Sequence, residues 1–206
     1  MTFRTEKKVR INSSKVYDLA KWIDENDGFQ LYPKRVINSI YFDTSNYSMY
    51  SDSMEGVLPR KKIRLRNYNY KFIFDENVKK EIKISSVEGR FKTSSLEKNP
   101  LIMMKLGYLD HDYGICNPVI NIVYERNYYK VKNIRLTLDE KIIYKRIYNG
   151  QISSFSTHDN SNVVELKFNS ESLINSVIKN FPFEISRFSK YCRGIEFIKS
   201  NYCNEL

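Results

Sequence analysis

The chain has 206 residues and a mass of 24.6 kDa, a length that fits one domain better than two. Its composition, with 41% hydrophobic and 28% charged residues, 7 Gly and 5 Pro, excludes disordered, collagen-like and low-complexity chains. The formal net charge of +10 at pH 7 indicates an anionic partner: a nucleic acid, a membrane surface or a phosphate compound.

Seven strands are predicted in chain order from alternating polar and apolar residues rich in Ile, Val, Tyr and Phe. These strands are Phe3–Asn12, Val36–Asp43, Arg60–Tyr70, Lys79–Ser85, Val119–Lys130, Ile134–Tyr148 and Val163–Phe168. An eighth strand is expected around Ile185–Lys190, although the segment after Ser186 also suits a helix. Many long strands joined by short turns favour an antiparallel barrel or a strongly curved sheet, which leaves few open edges.

Three helices are expected between the strands. The first is Ser13–Asn26, with Ser13 or Ser14 as its N-cap, and Ser95–Leu106 and Ser170–Lys179 follow. The sequence contains no internal repeat, no linker and no abrupt change in composition. We therefore expect a single domain over residues 1–206.

Each predicted strand has two faces, because successive side chains of a strand point to opposite sides. Between Arg60 and Tyr68 one face holds four cations, while the other includes Ile63 and Leu65. Four more strands repeat this design of one charged and one largely apolar face. Together with two isolated cations, the charged faces hold 14 cations and four carboxylates. They are Arg4, Lys8, Arg10, Arg60, Lys62, Arg64, Arg66, Lys79, Lys83, Arg126, Arg135, Lys141, Lys167 and Lys190, with Glu6, Glu81, Asp139 and Glu165.

For a single strand of this kind, the simplest explanation is a charged face exposed to solvent. An exposed face would intersperse opposite charges, however, because like charges on neighbouring strands repel. Five strands dominated by cations favour a barrel whose charged faces point inward and whose apolar faces are covered by helices. Two like charges about 5 Å apart repel by roughly 3 kcal/mol at an effective dielectric constant of about 20. Such a lumen must stay hydrated, and its Arg and Lys side chains would bind a polyanion.

The carboxylates among these cations suggest a divalent metal as a second ligand. Carboxylate and phosphate oxygens hold hard cations such as Mg²⁺ and Mn²⁺, and the candidates are Glu6, Glu81 and Glu165. Balancing the charge of neighbouring Lys and Arg is the alternative role, and for Glu81 it explains the sequence equally well.

Two other kinds of polar residue are assigned structural roles. Asp43 precedes a Thr-Ser-Asn turn, which favours a turn or a helix cap. His111 and His158 lie in the polar stretches HDYG and THDN and are expected in exposed loops. The three cysteines are widely spaced and form no CxxC pair, which argues against a disulfide framework or a zinc site.

The motifs RTEKKVRI, SIYFDT, PRKKIRLRNY, EIKI, YERNYY, RLTLDEKI, VVELKF and SRFSKYCRG follow one another from Arg4 to Gly194. In this order they resemble the VTC domain of polyphosphate polymerases, in the triphosphate tunnel metalloenzyme (CYTH-like) superfamily. The resemblance implies an α+β fold: an antiparallel eight-stranded β-barrel, the triphosphate tunnel, with flanking helices packed on the outside. It also implies a metal-dependent enzyme that transfers the γ-phosphate of ATP to a growing polyphosphate chain with Mn²⁺ or Mg²⁺.

Site residues are implied motif by motif. The resemblance implies six catalytic residues that bind the triphosphate: Lys8, Arg64, Arg66, Lys83, Arg126 and Lys190. Further substrate contacts, drawn from the motifs and from the charged faces, are Arg4, Arg60, Lys62, Tyr124, Arg135, Lys167 and Ser189. The metal is assigned to Glu165 with Glu6, and Arg90 or Lys92 matches a further basic position only loosely.

Three other functions remain open for the same sequence. If water replaces the polyphosphate acceptor, the protein is a triphosphatase, and without turnover it is a polyphosphate-binding protein. A barrel that binds single-stranded nucleic acid would use tyrosines as stacking platforms, and Tyr68, Tyr124 and Tyr128 share faces with Arg. The carboxylates among the cations argue against this third function, so the expected partners are ATP and inorganic polyphosphate, and partner proteins are unknown.

The location of the protein is inferred from what the sequence lacks. No apolar run approaches the roughly 18 residues of a membrane-spanning helix. The first residues, MTFRTEKKVR, contain no apolar signal core. We therefore expect a cytoplasmic protein without a transmembrane segment.

Overall fold

The computed structural model describes residues 5–168 and 180–202. Arg4 and the predicted helix Ser170–Lys179 lie outside these residues. The strands are β1 (Thr5–Asn12), β2 (Phe29–Asp43), β3 (Arg60–Asn67), β4 (Lys79–Ser86), β5 (Gly89–Leu96), β6 (Tyr108–Asp110), β7 (Gly114–Val131), β8 (Ile134–Tyr148), β9 (Gln151–Ile152), β10 (Thr157–His158) and β11 (Ser161–Phe168). The helices are α1 (Val16–Glu25), which follows a 3₁₀ turn at Ser13–Lys15, then α2 (Ser48–Glu55), α3 (Pro100–Leu106) and α4 (Lys190–Tyr202).

The strands pair in the order β1-β11-β8-β7-β2-β3-β4-β5, with the short β6 beside β7 and the short β9 and β10 beside β8. The registered pairs are antiparallel. Eight main strands with helices packed around the sheet confirm the expected α+β class.

The eighth strand differs from the one predicted. Residues 180–189 contain no strand, and α4 begins at Lys190, so the expectation at Ile185–Lys190 is wrong. The missing strand is β5, whose sequence GRFKTSSL has no regular apolar alternation and is exposed over most of its length. Ser95 belongs to β5, so the predicted helix Ser95–Leu106 begins only at Pro100, where proline suits the first helical turn.

The described residues form two compact units. Unit 1 contains the residues up to Val36, Tyr124–Ile142, and those from His158 to Phe188. Unit 2 contains Ile37–Val123, Ile143–Thr157 and the residues from Ser189 onward.

The apolar core of unit 1 lies between α1 and one face of β1, β8 and β11. Alternate residues of these strands, including Val9, Leu136 and Leu166, pack against Leu19 and Trp22 of α1. Each fully buried aliphatic side chain contributes about 1.5–3 kcal/mol relative to an exposed one. The expected N-cap at Ser13 or Ser14 is wrong, because α1 begins after the 3₁₀ turn and has no side-chain cap.

The apolar core of unit 2 follows the same design with other helices. Ile63 and Leu65 of β3 are fully buried with Met49 of α2 and Met103 of α3. Asp43 holds α2 in place, since its carboxylate accepts hydrogen bonds from the backbone N–H groups of Thr44, Met49 and Tyr50 at 2.7–3.0 Å. The predicted structural role of Asp43 is thus confirmed, although α2 itself was not predicted.

Candidate functional site

The second face of β3, opposite Ile63 and Leu65, is charged and continues across β4 and β5. Antiparallel register places Lys62 beside Lys83, which in turn lies beside Lys92, and places Arg64 beside Glu81. We call this set of side chains the cationic face. It comprises Arg60, Lys62, Arg64, Arg66, Lys79, Lys83, Arg90, Lys92 and Glu81.

Two arginines occupy the centre of the cationic face and are nearly inaccessible to solvent. Arg64 is 7% exposed and Arg66 is 8% exposed. Arg64 donates from Nε to Glu81 Oε2 at 2.7 Å and from Nη1 to the Tyr41 hydroxyl at 2.7 Å. Arg66 donates from Nε to Ser39 Oγ at 3.1 Å, and its Nη1 lies 3.4 Å from Glu81 Oε2. Both guanidinium groups are thereby fixed in orientation, as an anion-binding pair requires.

The electrostatics of this cluster depend on Glu81. Burial opposes ionisation of Glu81, but Arg64, Arg66 and Lys92 outweigh burial and lower its pKa to about 2. The same guanidinium groups act on Tyr41. Burial raises the pKa of the Tyr41 phenol, yet Arg64, Arg66 and Lys62 lower it overall. The field at the centre of this face is therefore positive despite its carboxylate.

Lys62 and Ser189 are brought together at the start of α4. Lys62 Nζ donates to Ser189 Oγ at 2.8 Å, and the same hydroxyl accepts from the backbone N–H of Cys192 at 3.3 Å. Ser189 therefore caps the N-terminus of α4. Lys190, also predicted in the site, is the first residue of that helix and is half-buried. Ser189 thus contacts Lys62 of the cationic face, and the direct phosphate contact implied by the resemblance stays a prediction.

The remaining predicted cations of unit 2 divide into two groups. Lys83 is half-buried in the row between Lys62 and Lys92. Lys92 reaches back to donate to Glu81, so the loosely matched basic position is part of the cluster. Arg60 instead donates to the backbone carbonyls of Gly56 and Val57, at 3.3 and 2.9 Å, and holds the loop before β3.

Unit 1 carries a second charged face, opposite its apolar core. Arg126 donates from Nε and Nη2 to the two oxygens of Asp139, at 2.5 and 2.7 Å, and its Nη2 lies 3.7 Å from Glu165 Oε2. Lys167 Nζ lies 2.7 Å from the other oxygen of Glu165. We call this set of side chains the mixed face. Its members are Glu6, Lys8, Arg10, Tyr124, Arg126, Tyr128, Arg135, Thr137, Asp139, Glu165 and Lys167.

Glu165 is a buried acid of the mixed face, with 6% of its surface exposed. Burial opposes its ionisation, but Arg126, Lys8 and Lys167 lower its pKa well below the usual value. Lys8 lies directly opposite Glu165 in the register and 3.1 Å from Glu6. Glu165 is therefore ionised, and both Glu165 and Glu6 lie beside cations.

Two other predicted contacts, Tyr124 and Arg135, lie on the mixed face, together with Thr137, which was not predicted. Tyr124 is buried, and the Arg126 guanidinium lies 5.4 Å from the centre of its ring. Arg135 is exposed and stacks over Tyr128 at 5.5 Å. Thr137, between Arg135 and Asp139, is 1% exposed, and its hydroxyl has no hydrogen-bond partner within residues 5–168 and 180–202.

Lys141 departs from the predicted alternation. Its φ of +51° is in the left-handed region, which interrupts the regular alternation of β8. Its Nζ lies 3.1 Å from Glu125 Oε1, whereas Arg126, the neighbour of Glu125 on β7, contacts Asp139. The prediction that Lys141 shares the charged face of Asp139 is therefore wrong.

The metal assignment can be tested against the donor atoms. Glu6 and Glu165 are diagonal neighbours on the paired strands β1 and β11, and the Cα atoms of such neighbours are roughly 7–8 Å apart. No group of three His, Cys, Asp or Glu side chains that could hold a metal occurs among the described residues. Mg²⁺ commonly takes one or two carboxylates and completes its shell with water and substrate phosphates. Glu6 and Glu165 already lie beside Lys8 and Lys167, so their carboxylates suit an ion that a bound phosphate helps to hold rather than a closed protein site.

Sequence reasoning missed several partners of the predicted residues. Tyr41 belongs to the SIYFDT motif, and the strand alternation that buries Ile40 and Phe42 in the core places Tyr41 on the opposite face with Arg64. Tyr191 stacks on Tyr41 with ring centres 5.2 Å apart. The alternation could have revealed Tyr41, but a residue of the distant α4 gives no local signal. His111 and His158 are exposed, as expected, but His158 lies in the short strand β10 rather than in a loop.

Comparison with known proteins places this geometry in context. Among solved structures, the chain is similar to a candidate adenylate cyclase from Vibrio parahaemolyticus, with a TM-score of 0.54, 12% identity and coverage of 91% of this chain and 95% of that chain. A protein from Pyrococcus horikoshii OT3 is similar with a TM-score of 0.58 and 12% identity, and the match covers 92% of this chain and 98% of that chain. A chain of the Schizosaccharomyces pombe Mediator head module is similar with a TM-score of 0.51 and 5% identity, and the match covers 88% of this chain and 96% of that chain. Similarity at these identities shows the fold alone.

Sequence comparison gives the family. No curated protein matches the chain, and no described helix has the length and apolar character needed to cross a membrane. The VTC domain family matches residues 3–199, which is nearly the whole chain. The motifs that carry the resemblance, the antiparallel fold and this match agree, and the chain belongs to the VTC domain family.

Proposed function

We propose that the protein is an ATP-dependent polyphosphate polymerase, which transfers the γ-phosphate of ATP to the end of an inorganic polyphosphate chain. The observation that carries the proposal is the buried pair Arg64 and Arg66 on the cationic face. Two fixed guanidinium groups beside a row of lysines are suited to phosphoryl groups, whose oxygens match the Arg fork. Membership of the VTC domain family supports the same class of substrate.

Phosphoryl transfer requires mainly positioning and charge neutralisation from the protein, because its transition state is loose. Arg64 and Arg66 would bind the oxygens of the migrating group, and Lys62 and Lys83 would stabilise neighbouring phosphates. The bond from the γ-phosphorus to the β,γ-bridging oxygen breaks, and ADP leaves with that oxygen. The terminal phosphate of polyphosphate is already ionised at neutral pH, so the acceptor needs no general base.

On the mixed face of unit 1, the family resemblance implies further phosphate-binding cations and a metal-binding carboxylate. Lys8, Arg126 and Lys167 surround Glu165 and would bind phosphate oxygens, as would Lys190 at the start of α4 in unit 2. Glu165, with Glu6, would hold Mn²⁺ or Mg²⁺. When bound, such an ion neutralises charge on phosphate oxygens.

The direct test is incubation of the chain with ATP and Mn²⁺, followed by sizing of the phosphate product. Long polymer together with ADP supports the polymerase, whereas free orthophosphate identifies a triphosphatase. Tight polyphosphate binding without product identifies a binding protein. Arg64→Ala should abolish the product, and Lys80→Ala, on the opposite face of β4 and paired with Glu97, is the matched control that should leave it unchanged.

The nucleic-acid alternative is disfavoured by burial of the aromatic rings. Tyr124 is 5% exposed and Tyr128 is 7% exposed, whereas a base-stacking platform must present its ring to solvent. Tyr68 remains accessible beside Lys79, but a single ring gives little stacking.

A further inference from the structure

Glu81 is the single carboxylate of the cationic face within the described strands β3, β4 and β5. Its Oε2 lies 2.7 Å from Arg64 Nε, 2.5 Å from Arg64 Nη2 and 3.4 Å from Arg66 Nη1. Its Oε1 accepts from Lys92. The side chain is 3% exposed. One buried carboxylate therefore contacts three cations that belong to two neighbouring strands.

This arrangement argues against a role for Glu81 as a metal ligand. Each oxygen of Glu81 accepts a hydrogen bond from a cation, whereas Oε2 of Glu165 lies 3.7 Å from Arg126 Nη2, beyond hydrogen-bond distance. A divalent ion at either oxygen of Glu81 would stand next to a guanidinium or ammonium group. At an effective dielectric constant of about 20, such like charges repel by several kcal/mol at about 4 Å. Charge balance alone does not explain the position of Glu81 either. A solvent-exposed carboxylate would balance the charge of the arginines without holding their guanidinium groups in one orientation.

The contacts of Glu81 do fix geometry. Arg64 is planar, and it is held along one edge by Glu81 through Nε and Nη2 and at Nη1 by the Tyr41 hydroxyl. Arg66 is held at Nε by Ser39 and at Nη1 by Glu81. Among the described residues no acceptor contacts Nη2 of Arg66. The restraint therefore leaves a defined donor of the Arg66 fork available to a ligand.

We propose that Glu81 is a positioning residue, which orients Arg64 and Arg66 for the phosphoryl group of the substrate. The proposal rests on the proposed function, since it assigns the orientation of that site. Preorganised donors stabilise a transition state without reorganisation at the moment of reaction. A carboxylate that is already paired three times is not displaced by substrate, so Glu81 acts through the arginines and does not touch the phosphate.

The positioning role predicts that a change at Glu81 affects turnover more than it affects binding. Glu81→Gln preserves the shape of the side chain and removes its charge, so the face becomes more cationic while the arginines lose their anchor. We expect the dissociation constant for tripolyphosphate to stay within about threefold of wild type or to fall, while kcat for polymer synthesis falls about 30-fold or more. Glu81→Asp, which keeps the charge, should recover part of the lost kcat.

Glu97→Gln is the matched control. Glu97 follows β5 and pairs with Lys80 of β4 at 3.1 Å, on the face opposite Glu81. Both the affinity for tripolyphosphate and kcat should stay at the wild-type values in this variant. An unchanged kcat in Glu81→Gln, or the loss of its tripolyphosphate binding, would overturn the positioning role.

A double-mutant cycle measured by calorimetry with tripolyphosphate tests the same inference without turnover. Arg64→Ala should weaken binding of tripolyphosphate about tenfold in the wild-type background and less than threefold in the Glu81→Gln background. An Arg64 side chain that Glu81 no longer orients contributes less to binding, so its removal has a smaller effect. Additive effects would overturn the positioning role. If Glu81→Gln does not fold, the cycle is run with Glu81→Asp, for which coupling above threefold supports the role. A wild-type chain that makes no polymer from ATP refutes the proposed function, and the cycle still decides the role of Glu81.

Discussion

The two units of the chain share one packing arrangement but differ in the charge of the sheet face opposite the apolar core. In each unit one face of the sheet packs on helices and the opposite face carries ionised side chains. On the cationic face of unit 2, eight cations are accompanied by one carboxylate. On the mixed face of unit 1, five described cations are accompanied by three carboxylates. The same strand alternation thus supports an excess of positive charge in one place and near balance in the other.

This difference in charge suggests that one face binds anions and the other binds a metal ion. A face with one carboxylate among eight cations is suited to phosphate oxygens but repels divalent cations. A face with Glu165 and Glu6 among fewer cations offers oxygen donors to a hard ion. We therefore propose that phosphoryl groups bind chiefly to the cationic face and a metal ion to the mixed face, and each proposal can be tested alone.

The largest effect is expected from removal of an arginine of the cationic face. Arg66→Ala should lower polymer synthesis by about 100-fold or more, since loss of one preorganised hydrogen-bond donor typically costs about 10²–10³ in rate. The melting temperature should change by only a few degrees, because relief of repulsion among neighbouring cations offsets the lost contacts with Glu81 and Ser39. Activity and thermal unfolding are measured on the same sample, and gross unfolding of this variant would count against a place on a functional cationic face.

Acid should destabilise the cationic face through Glu81. Its pKa is about 2 in the folded chain, below the ordinary value of 4.5, so the folded state favours the ionised form. The stabilisation is complete above pH 4.5 and is lost as the pH falls toward 2. It amounts to about 3 kcal/mol. Denaturant unfolding of the wild type and of Glu81→Gln between pH 5 and pH 2 measures it, and parallel pH profiles of the two chains would contradict the prediction.

A smaller effect is expected from the carboxylate of the mixed face. Glu165→Gln should weaken Mn²⁺ binding in the presence of tripolyphosphate by about tenfold or more, because ligand charge sets affinity for hard cations. Calorimetric titration of Mn²⁺ measures this shift. Glu25→Gln, an exposed acid on α1, is the matched control, and equal Mn²⁺ affinity of both variants would exclude Glu165 as a ligand.

The sequence predicted the two-faced strands and their basic residues because alternation with a period of two is a local property. It did not predict β5, where the residues Gly89–Leu96 lack that alternation and the strand is defined by its pairing with β4. The shared contact of Glu81 with Arg64, Arg66 and Lys92 depends on the register of three strands. Lys141 was misplaced because a left-handed backbone at one residue shifts the faces of β8 without a glycine to signal it.

The smallest effect is expected at the junction of the cationic face with α4. Ser189→Ala removes the N-cap of α4, which should cost about 1 kcal/mol of stability, and it removes the acceptor of Lys62. Polymer synthesis should fall only a few-fold, since Lys62 keeps its charge and its place on β3. Ser200→Ala, on the same helix and bonded only within it, is the control for thermal unfolding and activity. A loss in Ser189→Ala as large as that of Arg66→Ala would instead mean that the Ser189 hydroxyl contacts the phosphate directly, as the family resemblance implies, because a cap and an indirect restraint on one lysine cannot account for an effect of that size.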